Sequence, residues 1–85
     1  METNERTYKK LYVDVLAVHT TDGGTRPIRF KLEDTVVVID RVKHCQRAAS
    51  TKVGGTGMRY TVMIKGFERF LFEDEGKWFV EAREE

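Results

Sequence analysis

Eighty-five residues suffice for one domain and leave no room for an enzyme with a deep, enclosed active site. Hydrophobic residues make up 40% of the chain and charged residues 34%, enough for a small core, and no apolar run approaches the ~20 residues of a membrane-spanning helix. The formal net charge of +1 is far from the strongly basic signature of a dedicated nucleic-acid binder.

Residues 1–9 are polar and aperiodic, which predicts a flexible N-terminal tail ahead of a single barrel-like domain over residues 10–83. Leu11 to Val18 reads as a first strand, apolar on both faces. Thr21-Asp22-Gly23-Gly24-Thr25 is a turn cluster. The cleanest alternation follows, with Ile28, Phe30 and Leu32 on one face and Arg29, Lys31 and Glu33 on the other. Pro27 suits the first position of that strand, where no ladder donor is needed. After the Glu33-Asp34 turn, the β-branched run from Thr35 to Ile39 resists helix and favours strand. Its continuation through His44 predicts a bulge near Asp40, where the apolar pattern loses phase. The glycine-containing segment 48–58 reads as a mobile loop.

The last third is a meander of three strands, Arg59 to Ile64, Glu68 to Glu73 and Lys77 to Ala82. It holds six of the nine aromatic residues: Tyr60, Phe67, Phe70, Phe72, Trp78 and Phe79. Two registers compete for its first hairpin. A Lys65-Gly66 loop sets Ile64 opposite Phe67, whereas a Gly66-Phe67 loop sets Lys65 opposite Glu68 and Met63 opposite Phe70. The opposite-charge pair favours the second. With Phe70, Phe72, Trp78 and Val80 inward, Phe67, Leu71 and Phe79 are partly outward, where they are candidates for protein docking or a dimer contact.

Five to six short strands without a helix predict an all-β fold, a small antiparallel barrel or half-open roll. The expected core is Leu11, Val13, Val15, Ile28, Phe30, Leu32, Val37, Ile39, Val62, Phe70, Phe72, Trp78 and Val80.

Charge is strongly segregated. Residues 41–67 carry six basic side chains and no acid, while residues 68–85 carry three basic and seven acidic ones. Within the basic block, Arg41, Lys43, Arg47, Lys52 and Arg59 are candidates for anion or nucleic-acid binding, with Tyr60 and Phe67 as stacking surfaces. The competing reading is a solvated face paired with the acidic C-terminal strands. Gly54-Gly55-Thr56-Gly57 has neither Walker nor dinucleotide spacing, which argues against nucleotide binding. His19, His44 and Cys45 do not form a zinc pattern. Glu73-Asp74-Glu75 reads as a solvated turn and not as a catalytic carboxylate pair. No cofactor, metal or catalytic activity is expected. One cysteine, with no signal-like start, points to a reducing, cytoplasmic setting.

The strings Ile39-Asp40-Arg41-Val42, Arg59-Tyr60-Thr61-Val62, Arg69-Phe70-Leu71-Phe72 and Lys77-Trp78-Phe79-Val80-Glu81 carry a resemblance over residues 28–82. The chain is similar to small bacterial β-roll domains of unknown function, some of them linked to translesion (Y-family) DNA polymerases. The resemblance implies a small β-roll and transfers no site residues. The functional expectation is a non-catalytic binding or accessory module, monomeric or weakly dimeric. It would engage a protein partner through the aromatic meander, with single-stranded DNA or RNA binding through residues 41–65 as the alternative and no membrane partner.

Overall fold

The computed structural model describes residues 8–47 and 57–83, all of them strands, turns or short connections. Seven strands follow in chain order: β1 (Tyr8–His19), β2 (Thr25–Leu32), β3 (Thr35–Val38), β4 (Arg41–Arg47), β5 (Met58–Ile64), β6 (Phe67–Asp74) and β7 (Lys77–Arg83). They form one antiparallel sheet in the order β3-β2-β1-β7-β6-β5-β4, curled into an open half-barrel. The all-β expectation holds, with seven strands in place of five to six. No helix among the described residues is long and apolar enough to cross a membrane. β1 begins at Tyr8, inside the expected tail, and the 48–58 loop lies outside the described residues up to position 56.

The extra strand arises because the 35–47 segment changes partners midway. β3 pairs with β2, and Ile39 still donates its N–H to the Ile28 carbonyl at 3.0 Å. Asp40 then donates to the Met63 carbonyl at 2.8 Å, and β4 pairs with β5. One continuous run of chain therefore joins the two ends of the sheet and curls it. β1 is shared in the same way, pairing with β7 from Tyr8 to Val13 and with β2 from Asp14 to His19. The bulge expected near Asp40 lies instead between Val42 and His44. A second irregularity, at Leu16/Ala17, leaves Ile28 unmatched beside Pro27. Pro27 is fully buried there, within the strand, where the irregular pairing dispenses with its missing donor.

The inner face carries one core of Val13, Phe30, Ile39, Tyr60, Val62 and Leu71, with Val15, Leu32, Val37, Trp78 and Val80 packed partly buried against it. Nine of the expected core residues are thus present. Phe72 is buried as well, but against Phe79 on the other face of the sheet, and Phe70 is corrected to an exposed position, because the β5–β6 hairpin takes the Lys65-Gly66 register. Ile64 lies opposite Phe67, Val62 opposite Arg69 and Tyr60 opposite Leu71. Both turn residues have positive φ, 52° at Lys65 and 82° at Gly66. That is the geometry of a two-residue hairpin turn that matches strand twist, and it favours glycine at its second position. The alternative would have demanded positive φ from Phe67, a cost the Lys65–Glu68 attraction does not offset. A one-residue slip exchanges faces, so Leu71 enters the core while Phe70 and Phe72 lie on the outer face. Trp78 remains inward, half-buried against Tyr60 at a ring separation of 5.1 Å.

Candidate functional site

The last hairpin comes apart. β6 and β7 meet at three register pairs only: Asp74 with Lys77, Glu73 with Trp78 and Phe72 with Phe79. Beyond them, β6 runs on to Phe67 in full register with β5, while β7 runs on to Arg83 in register with β1. Each strand keeps its outer neighbour, and the ladder between them stops. Among the described residues no strand occupies the interval. A cleft of about 540 Å³ opens there into the hollow of the half-barrel.

Three groups of side chains build the cleft. Phe30 and Leu32 of β2 and Val37 of β3 form one wall, because the alternation along β2 sends its apolar set inward. Val62 and Ile64 of β5 and Leu71 of β6 form the floor and opposite wall, with Val62 and Leu71 essentially inaccessible to water. Phe67 stands at the rim, 62% exposed although its register places it on the inner face. Val80 borders the cleft from the β7 side. An apolar hollow rimmed by a large exposed aromatic ring is a surface suited to burying a partner's apolar side chains.

Charge at the mouth is uneven. The Lys43 ammonium holds the Glu68 carboxylate at 3.0 Å. The Arg69 guanidinium donates to the Glu68 carbonyl at 3.0 Å and lies over the Phe67 ring at 5.3 Å. Lys65 is exposed on the adjoining turn, whose backbone N–H donates to the Asp40 carboxylate at 2.8 Å. That last bond ties the turn to the junction between β3 and β4, and so fixes one lip of the cleft.

The outer face carries a different feature. Tyr12, Phe79, Phe72, Arg59 and Gln46 form a row across five strands. Phe79 stacks on Phe72 at 5.2 Å, and Tyr12 and Phe70 flank them edge-on. Lys10 lies over Phe79 at 4.9 Å and Arg59 over Phe70 at 4.7 Å, distances typical of cation–π contact. Phe72 and Phe79 are buried here, whereas Tyr12 and Phe70 are exposed, with Lys77 over the Tyr12 ring at 6.0 Å.

Of the docking candidates, then, Phe67 alone is exposed. Leu71 and Phe79 are corrected to buried positions, the first under the cleft and the second within the outer row. Of the basic candidates, Arg41, Lys43 and Arg59 share the outer face, since Arg41 lies opposite Met63 and Lys43 reaches Glu68. Arg47 lies opposite Met58 on the inner side, because the bulge at Lys43 inverts the alternation after it. Lys52 lies outside the described residues. Sequence reasoning missed the cleft, and with it the exposed apolar strip of Leu16, Val36 and Val38 on the outer face of β1–β3. The β-branched run was the available signal for Val36 and Val38, since alternate members of such a run must point out.

Cys45 is exposed, not buried as its residue type suggests, and lies opposite Tyr60. Burial, reinforced by the adjacent Cys45 thiol, pushes the Tyr60 phenol up to about 12. The exposed His44 ring is held by Gln46 at 2.8 Å, and His19 contacts Thr25 at 3.3 Å. Among the described residues no three His, Cys, Asp or Glu side chains gather to hold a metal ion.

Fold and cleft together define a small half-barrel with an incompletely paired sheet. No protein-family model matches the chain, and no curated protein or solved structure is significantly similar to it.

Proposed function

We propose that this chain is a non-catalytic binding module whose partner is a protein, seated on the cleft between β6 and β7. The observation that carries this reading is the parting of the two strands after Phe72 and Phe79, which leaves an apolar hollow of about 540 Å³ beneath the exposed Phe67 ring. Such a hollow costs hydrophobic contact when solvated, and an apolar side chain entering it recovers ~25 cal/mol per Å² of apolar surface removed from water. The test is to pan random displayed peptides on the immobilised protein and titrate those selected into the isotope-labelled chain. Amide shifts at Phe67–Leu71 and around Val80 support the reading. Enriched peptides that shift only the outer face, or no enrichment, refute it.

A second reading, single-stranded nucleic acid on the outer face, is favoured by the placing of Arg41, Lys43 and Arg59 on one face with the exposed Phe70, over whose ring Arg59 lies. It requires oligothymidine to bind at low salt and to dissociate steeply as salt rises.

A further inference from the structure

Resting on the proposed function, we infer that the partner enters the cleft as an extended strand added to the free edge of β6, with a side-chain pattern of apolar, any, acidic, any, apolar. Three observations on the same edge lead there.

The first concerns the backbone. From Phe67 to Leu71, β6 pairs with β5 on one side and leaves the β7 register on the other. In an antiparallel ladder the N–H and C=O groups of successive residues point alternately to the two neighbours, so this stretch directs donors and acceptors into the cleft. A small apolar ligand or a lipid chain would fill the hollow and leave those groups without partners. A peptide strand satisfies both the hollow and the edge.

The second concerns the side chains. Strand residues alternate with period two, so an added strand facing β6 places every second side chain inward, opposite Phe67, Arg69 and Leu71. Those inward positions meet Phe67 at the rim and the wall of Leu32, Val37 and Ile64 beyond it. Residues opposite Phe67 and Leu71 therefore belong to apolar types, and those between them face solvent and are free to vary.

The third concerns charge. The middle inward position faces Arg69, with Lys65 on the neighbouring turn. Of the two acids that line the cleft, Glu68 is held by Lys43, and Glu81 lies across the gap on β7. A carboxylate opposite Arg69 is complementary, whereas a cation there meets like charge at cross-strand distance. The pattern reads the same in either chain direction, so it does not depend on whether the added strand runs parallel or antiparallel to β6.

The experiment uses the full chain and capped peptides containing Val-Thr-Asp-Thr-Val. Three partners are compared: that peptide, its Lys analogue at the central position, and a form N-methylated on the amides that would donate to β6. The Asp peptide is expected to shift Phe67–Leu71 amides. N-methylation should weaken it roughly tenfold, the effect of losing one or two net hydrogen bonds. The Arg69→Glu variant, altering an exposed side chain, should reverse the preference between the Asp and Lys peptides. Equal binding of the N-methylated form, or an unchanged charge preference in Arg69→Glu, overturns strand addition while leaving the cleft as a site for apolar side chains. Absence of any shift at β6 or at Val80 with all three peptides overturns the cleft reading itself.

Discussion

Leu71 and Phe67 lie four residues apart on the same face of β6, yet truncating them should have opposite consequences. Leu71 has no accessible surface, and removing a fully buried leucine side chain costs ~2–5 kcal/mol through lost transfer energy and the cavity left behind. Because the neighbouring cleft gives the surroundings room to relax, Leu71→Ala should fall near ~3 kcal/mol. Phe67 is 62% exposed, so little more than a third of its surface contributes. Scaling a full phenylalanine burial of ~2–3 kcal/mol gives about 1 kcal/mol for Phe67→Ala. Urea unfolding followed by the fluorescence of Trp78, the single tryptophan, measures both. The expected order is a large fall in midpoint for Leu71→Ala and a small one for Phe67→Ala, each with an unchanged slope. In binding, the order inverts, with Phe67→Ala losing the selected peptide while remaining folded. Equal destabilisation by the two variants would refute the assigned register, since a one-residue slip would make Leu71 an outward residue.

Gly57 sits where a Cβ would lie 2.4 Å from the Glu73 carbonyl oxygen, at a φ of 147° that side chains rarely adopt. Gly57→Ala should cost ~2 kcal/mol or more by thermal melting, because the opposing atom is backbone. Asp40→Ala removes the acceptor of the Lys65 N–H and should cost ~1 kcal/mol, read by the same melt together with faster amide exchange at Lys65. Tyr60 has a folded-state value of about 12 against an ordinary 10.0, so the folded state holds its proton more tightly. Its contribution to stability is complete below about pH 10.0 and is lost as pH rises to about 12. Tyr60→Phe should therefore flatten the fall in stability across that window, and an unchanged alkaline slope would contradict this. Lys43→Ala should alter stability by less than ~1 kcal/mol in urea, since both partners of its ion pair with Glu68 are well exposed.

Much of the fold was legible because local chemistry agreed with it. The alternation through Phe30 and Leu32, the β-branched run at Thr35, and the glycines at 66 and 76 all pointed to the elements that form. The hairpin register is legible too, in the positive φ that Lys65-Gly66 can supply, which outweighs the competing Lys65–Glu68 charge pair. The one-residue difference between the two registers exchanges Leu71 with Phe70 and Phe72 across the sheet. The split of the 35–47 segment at Asp40 left no local mark, since it depends on Ile28 and Met63, which are distant in sequence. The cleft was illegible for the same reason. Neither 67–73 nor 77–83 contains glycine or proline, and the strands part because each stays with its outer neighbour. Three members of the basic segment, Arg41, Lys43 and Arg59, share a face. The bulge at Lys43 turns Arg47 to the other side, a one-residue event that composition does not encode.

The parting of β6 and β7 is tested most directly by cross-strand α-proton contacts in the free protein. In an antiparallel ladder the close contacts recur at every second pair, so Glu73 with Trp78 would be followed by Leu71 with Val80 and Arg69 with Ala82 if pairing continued. The expected spectrum shows the first of these and neither of the other two. Strong contacts at Leu71–Val80 and Arg69–Ala82 would mean a closed sheet, with neither a cleft nor a free edge for a partner to join.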